Sequence, residues 1–158
     1  MFIRISFSPR THLVSAVSQL AAEFCRLELG DRDATSHLHM VAHELAENIA
    51  KYSTAPEVTL EVDLSEDAAG RALTIRTRNR ASPERLADVA RRLRELELAD
   101  NPDALYDRWL EESLAVEGVS GLGLARIRAE SGLDLEYSIE GDELTVAVKA
   151  TLPRRLDA

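Results

Sequence analysis

The segment HELAENIAKYS, residues 43–53, decides how the rest of the chain is read. Leu45, Ile49 and Tyr52 continue an apolar stripe begun by Leu38 and Val41. That periodicity predicts the second half of an amphipathic helix laid on a core. Glu44 and Asn48 stand four residues apart and Lys51 three further on, so all three share one face beside the stripe. By spacing alone, an acid, an amide and an amine on one face are an ordinary solvated surface as readily as one wall of a ligand site. For a ligand, Asn48 offers a neutral oxygen of the kind Mg²⁺ accepts. Glu44 can orient or deprotonate a hydroxyl, and Lys51 can meet a phosphate as a point charge.

Upstream of this helix, FIRISFS at the N-terminus reads as a first strand. Ser8 and Pro9 suit the start of a helix. Leu13, Val17, Leu20, Phe24 and Leu27 form its apolar stripe, and Gly30 is the expected stop. DRDATS then restarts a helix with capping residues, and Pro56 closes the region. Downstream, VTLEVDL alternates strictly, with Val58, Leu60, Val62 and Leu64 inward. With ALTIRTRN, where Leu73 and Ile75 face inward, it predicts an antiparallel hairpin turned at SEDAAGR. From Pro83 the period becomes helical at Leu86, Val89, Leu93 and Leu96. DNP, residues 100–102, breaks that helix and caps another carrying Leu105, Trp109 and Leu114 inward. A last hairpin pairs Leu133, Leu135, Tyr137 and Ile139 with Leu144, Val146, Val148 and Ala150. The order β-α-α-β-β-α-α-α-β-β predicts an α/β (α+β) two-layer sandwich: a mixed, mostly antiparallel sheet covered on one face by helices.

The chain has 158 residues, which fits one domain over residues 1–158. Its 45% hydrophobic content supports a core, and 4% aromatic content makes that core aliphatic. A net charge of −9 disfavours nucleic-acid binding, which needs a basic face. No run approaches the ~20 apolar residues of a membrane span, and the N-terminus does not read as a signal peptide. The lone Cys25 lies in a helical apolar pattern, which suits a small core residue in a reducing compartment, so the expected location is cytoplasmic. His39 and His43 have a chelating spacing, but HELAE places Glu47 where a His-Glu-x-x-His motif needs its second histidine, so helix-surface histidines are the simpler reading.

A second motif changes the balance at Glu44. GVSGLGL, with Gly118, Gly121 and Gly123, stands directly before the predicted helix LARIRAESG. Glycines there let backbone approach a ligand, and a helix start offers free N–H groups to an anion. Basic residues are almost all arginine: only Lys51 and Lys149 among the nineteen are lysine.

Together these features resemble the Bergerat-fold, or GHKL, ATPases. HELAENIAKYS looks like their Glu-x-x-x-Asn helix, and GLGL before a helix looks like their later glycine box. The opening strand, long helix and motif helix are similar to the anti-sigma-factor serine kinases of bacterial partner-switching systems. The resemblance implies Glu44 as catalytic base and Asn48 as Mg²⁺ ligand. It implies ATP as cofactor, its phosphates held by Gly118, Gly121, Leu122, Gly123 and Leu124 with Lys51 nearby. It also implies a helical lid or insertion at 83–117, a protein partner (an antagonist-type regulator or a sigma factor) and homodimerisation.

One box departs from the pattern. After the strand that follows the motif hairpin, that superfamily carries an Asp-x-Gly-x-Gly-type box whose Asp accepts from the adenine amine. Here LTIRTRN runs into RASPERLADV, and Asn79 occupies the place. Its amide oxygen accepts without a negative charge, which makes a weaker bond. Two functional readings follow. One is a divergent serine/threonine protein kinase acting on an antagonist-type partner. The other is a non-catalytic protein-binding regulator on a degenerate GHKL fold, with weak or no nucleotide binding.

Overall fold

The computed structural model describes residues 1–29, 32–67, 70–115 and 121–152, with the side chains of 32–34 and 67 left aside. The elements are β1 (Phe2–Phe7), α1 (Val14–Leu29), α2 (Arg32–Tyr52), β2 (Val58–Asp67), β3 (Gly70–Arg80), α3 (Pro83–Glu97), α4 (Pro102–Ala115), α5 (Leu122–Arg126), β4 (Asp134–Glu140) and β5 (Glu143–Leu152). The five strands form one sheet in the order β1-β2-β3-β5-β4. Every neighbouring pair is antiparallel, so the expected mixed sheet is wholly antiparallel among the described residues.

The alternation predicted for β2 and β3 sets which face is covered. Val58, Leu60, Val62 and Leu64 are buried on β2, and Leu73, Ile75, Thr77 and Asn79 on β3. β5 adds Leu144, Val146, Val148 and Ala150 to the same layer. The opposite face carries charges in cross-strand pairs: Arg4 Nε lies 2.7 Å from Glu61, and Lys149 Nζ lies 2.8 Å from Glu136. Such exposed pairs contribute little, and the sheet is held by its buried face. The last hairpin has the expected partners, with Leu135 opposite Val148, Tyr137 opposite Val146 and Ile139 opposite Leu144. Between β3 and β4 lies β5, so Asn79 stands opposite Leu144 and Thr77 opposite Val146.

Helix α2 buries Leu38, Val41, Leu45 and Ile49 as predicted, together with Ala42 and Ala46. Helix α1 is rotated from its expected phase. Its buried residues are Val14, Val17, Ser18, Ala21 and Cys25, while Leu20 and Leu27 are exposed. The small side chains face α2 and let the two helices approach; the leucine stripe would hold them apart. The start differs as well. Thr11–Leu13 form a 3₁₀ turn, and no side chain caps it, so neither Ser8 nor Pro9 opens α1. The expected stop at Gly30 lies outside the described residues.

Helix α3 follows its periodicity, burying Leu86, Val89, Leu93 and Leu96, and Ser82 caps it by accepting from the Arg85 N–H at 3.4 Å. Asn101 caps α4 in the same way, accepting from the Ala104 N–H at 3.1 Å. Leu105 and Trp109 of α4 are buried, but Leu114 is exposed, because nine residues beyond Leu105 it falls on the opposite side of the helix. Trp109 lies beneath the Arg92 guanidinium, 4.5 Å from the ring centroid, a cation–π contact that joins α4 to α3. No described helix is long and apolar enough to cross a membrane.

Burial pushes the Cys25 thiol up to about 11. Thiolate is the reactive form, so Cys25 should resist an aromatic disulfide reagent in the folded protein at mildly alkaline pH. It should react fully once the chain is unfolded in denaturant. Rapid stoichiometric labelling of the native protein would contradict the α1–α2 packing.

Candidate functional site

Helix α2 is anchored by its apolar face, so its polar face is held at a defined height above the sheet. That face and the start of α5 enclose an open cavity of about 260 Å³. Glu44, Asn48 and Lys51 line it from α2, and Gly121, Leu122 and Gly123 from the turn into α5. The two motifs, distant in sequence, therefore meet. Gly118, the first glycine of the second motif, lies outside the described residues.

The meeting is close. A Cβ at Gly123 would overlap the Glu44 Oε2 atom and stand 3.3 Å from its carboxyl carbon. With the carboxylate where it stands, the position has room for glycine alone, and any larger residue would push the Glu44 side chain aside. Gly121 has a left-handed φ of +82° and caps α5. A side chain there would press on the Arg92 stem, with Cβ 3.2 Å away, so the turn is braced from behind by α3. After the short α5 the helix continues as a π turn, Ile127–Ser131, and ends at Gly132.

Glu44 is 7% exposed, and its Oε1 accepts from Arg126 Nη1 at 2.9 Å. Arg126 Nε also donates to Glu130 at 3.0 Å. The hydrogen bond to Glu130 and then that to Glu44 raise the Arg126 pKa above its ordinary value, so the guanidinium stays charged. Lys51 Nζ lies 3.0 Å from Glu47, one turn back on α2. Each cation lining the cavity is thus matched to a carboxylate. Asn48 is different: its buried Nδ2 has no hydrogen-bond partner. An orphaned buried amide costs about 1–3 kcal/mol, which a ligand or a water can recover.

Deeper in, Asn48, Tyr52 and Gly121 also border a second cavity, lined by Leu45 of α2, closed toward the sheet by Thr77, Asn79 and Leu144 and toward α3 by Arg85, Leu86 and Val89. Leu124 lines it as well. Asn79 is buried and donates from Nδ2 to the Arg80 carbonyl at 3.3 Å, so the amide is oriented by its own backbone. This inner space measures about 30 Å³, room for water molecules and far less than a ligand pocket. Arg85 lies over the Tyr52 ring, 4.8 Å from its centroid, and ties α3 to α2 at the border of the two cavities.

Every described residue expected at the site borders one of the two cavities: Glu44, Lys51, Leu122 and Gly123 the outer, Asn79 and Leu124 the inner, Asn48 and Gly121 both. Sequence reasoning missed Arg126, Thr77, Arg85 and Tyr106. Arg126 follows GLGL directly, but nothing local says that its partner stands 82 residues earlier. Tyr106 reaches the outer cavity from α4, a placement with no local signal. The histidines do not gather: His43 Nδ1 lies 3.5 Å from Ser18 Oγ between α2 and α1, and His39 is exposed. Among the described residues no group of three His, Cys, Asp or Glu could hold a metal ion.

No protein family matches the chain in sequence, and no curated protein does. Among solved structures, a chain of the SiaB–SiaC complex from Pseudomonas aeruginosa shares the fold, with a TM-score of 0.63 at 16% identity. The match covers 94% of this chain and 89% of that chain. The likeness extends over nearly the whole architecture and identifies a shared fold.

Gly123→Ala should destabilise the protein by about 1–3 kcal/mol in chemical denaturation, the usual cost of overfilling a packed position. Glu44→Ala in the same chain should remove most of that added loss, because the overlapped carboxylate is gone. A double variant as unstable as the sum of the two single ones would contradict the contact.

Proposed function

We propose that this chain is a partner-switching regulator on a Bergerat-type fold, whose cleft between α2 and α5 takes the phosphates of Mg-ATP. The observation that carries the reading is the junction itself. Glu44 and Asn48 of α2 face Gly121 and Gly123 across a 260 Å³ cavity, with the Gly123 backbone against the Glu44 carboxylate.

The donor set fits Mg²⁺, which needs few protein oxygens because phosphates and water complete its shell. Asn48 would hold it through its amide oxygen, while its unpartnered Nδ2 is a donor that suits a phosphate oxygen. When bound, Mg²⁺ neutralises charge on the phosphates. The chain's own residues would do the rest. Gly121 and Gly123 admit phosphate close to backbone, and Lys51 stabilises its charge. Glu44 orients the attacking hydroxyl of a partner's serine or threonine and takes its proton. Catalysis in such a site is mainly positioning and electrostatics. Helices α3 and α4 act as a lid, since Arg85 and Tyr106 border the cavities from that side. The neighbouring structure is a complex of two proteins, which supports a protein as the target of this chain too.

A second reading, the non-catalytic protein-binding regulator, is favoured by the inner cavity. At about 30 Å³ it does not admit a base, and Asn79 offers it an uncharged acceptor. In that case the cleft serves contact with a partner, with little or no nucleotide.

Titration calorimetry with Mg-ATP and Mg-ADP separates the two. Wild type should bind and Asn48→Ala should lose affinity by about tenfold, the worth of one good polar contact. No heat with either nucleotide at high concentration removes the ATP reading and leaves the binding module. Unchanged affinity in Asn48→Ala removes the assigned site.

A further inference from the structure

We propose that Arg126 is a ligand-responsive gate on Glu44: an oxyanion of the polyphosphate class that enters the cleft takes the guanidinium, and the Glu44 carboxylate is released. The inference deepens the reading of the cleft as a polyphosphate site and rests on it.

In the cleft the Glu44 carboxylate is engaged on both oxygens. Oε1 is held by Arg126 at 2.9 Å, and Oε2 lies against Gly123. A hydroxyl that approaches this carboxylate competes with the guanidinium for it. When the pair parts, the burial of the two partners decides which one moves. The Glu44 side chain is 9% exposed on a helix fixed by its apolar face, whereas the Arg126 side chain is 41% exposed. The arginine is therefore the mobile member of the pair. Its second tie is to Glu130, four residues along the same helical stretch, an exposed contact of the weak kind.

The chemistry of the incoming group follows from what the cavity presents. Two cations line it, Arg126 and Lys51, and each is neutralised by a carboxylate, Glu44 and Glu47. A singly charged anion would exchange one carboxylate contact for another and gain little. A group with several negative oxygens can engage both cations together, and a guanidinium fork matches two phosphate oxygens at once. The same event turns Arg126 from Glu44 to the ligand and uncovers Glu44 where the transferred group would arrive. Without polyphosphate the base is masked, which protects against idle proton transfer.

The test uses the full chain and inorganic tripolyphosphate without metal, which leaves base recognition and Mg²⁺ out of the measurement. Affinity is read by calorimetry for wild type, Glu44→Gln, Arg126→Gln, Arg126→Lys and the double Glu44→Gln/Arg126→Gln variant, with thermal unfolding of each as a control. Glu44→Gln should bind tighter than wild type, because the competing carboxylate is gone, while Arg126→Gln should bind about tenfold weaker. Arg126→Lys should fall between Arg126→Gln and wild type. The double variant should match Arg126→Gln, since the glutamine at 44 has nothing left to release. Loss of the Glu44 charge by itself also favours a polyanion, so the double variant decides: binding tighter than Arg126→Gln marks a plain charge effect and overturns the gate. Unchanged or weaker binding in Glu44→Gln, or no tripolyphosphate binding in any variant, overturns the gate. A parallel titration with Mg-ATP keeps the two ideas apart. The expected tripolyphosphate ordering with no Mg-ATP binding would retain the gate and remove the nucleotide reading. Mg-ATP binding that Arg126→Gln leaves untouched would do the reverse.

Discussion

The structure depends on the burial of one helix. Along α2, Leu38, Val41, Ala42, Leu45, Ala46 and Ile49 are each 3% exposed or less. Each buried leucine or isoleucine contributes about 1.5–3 kcal/mol, and the two alanines let neighbouring elements come close. A helix so anchored cannot roll or slide without exposing that stripe. Its other face, with Glu44, Asn48 and Lys51, is thereby held at a set distance from the turn into α5. The site is a by-product of core packing: the apolar residues of HELAENIAKYS hold the helix, and the polar ones inherit its position.

The second element of the site is positioned by a different rule. The turn at Gly121 needs a left-handed backbone, and its outer side is filled by the Arg92 stem, itself stacked on Trp109. Gly123 then reaches the Glu44 carboxylate, where a Cβ would overlap Oε2 as that side chain stands. The described end of the glycine motif is thus clamped between α2 in front and the α3–α4 pair behind. Charge is handled locally: Glu44 with Arg126, Glu47 with Lys51. In this arrangement the outer cleft is open and polar, while the inner space is nearly filled. The phosphate-facing half of the cleft has room; the half beside Asn79 does not.

Much of this was legible because its signals are local. Strict alternation in β2 gave its inward face correctly, and the helical period of α3 gave all four of its buried aliphatics. Glu44, Asn48, Gly121 and Gly123 were legible for the same reason, each pair falling within one short segment. α1 misled because it carries two candidate stripes, one of leucines and one of smaller residues. Periodicity favours the leucines, but close approach to α2 selects Val14, Val17, Ala21 and Cys25. Leu114 misled for a plainer reason: it does not share the face of Leu105 and Trp109, since five residues past Trp109 it has turned away from the core.

By itself the sequence determined the order of elements, the inward face of each hairpin, the long apolar stripe of α2 and the residue types of the two motifs. These follow from hydrogen-bond geometry and side-chain periodicity over a few residues. Only the tertiary structure decided that β5 inserts between β3 and β4, that the two motifs share a cavity, and that Arg126 covers Glu44 from 82 residues away. Those are contacts between segments with no local dependence on each other. They are set by which apolar faces can be buried together, and that choice exists only once the whole chain has packed.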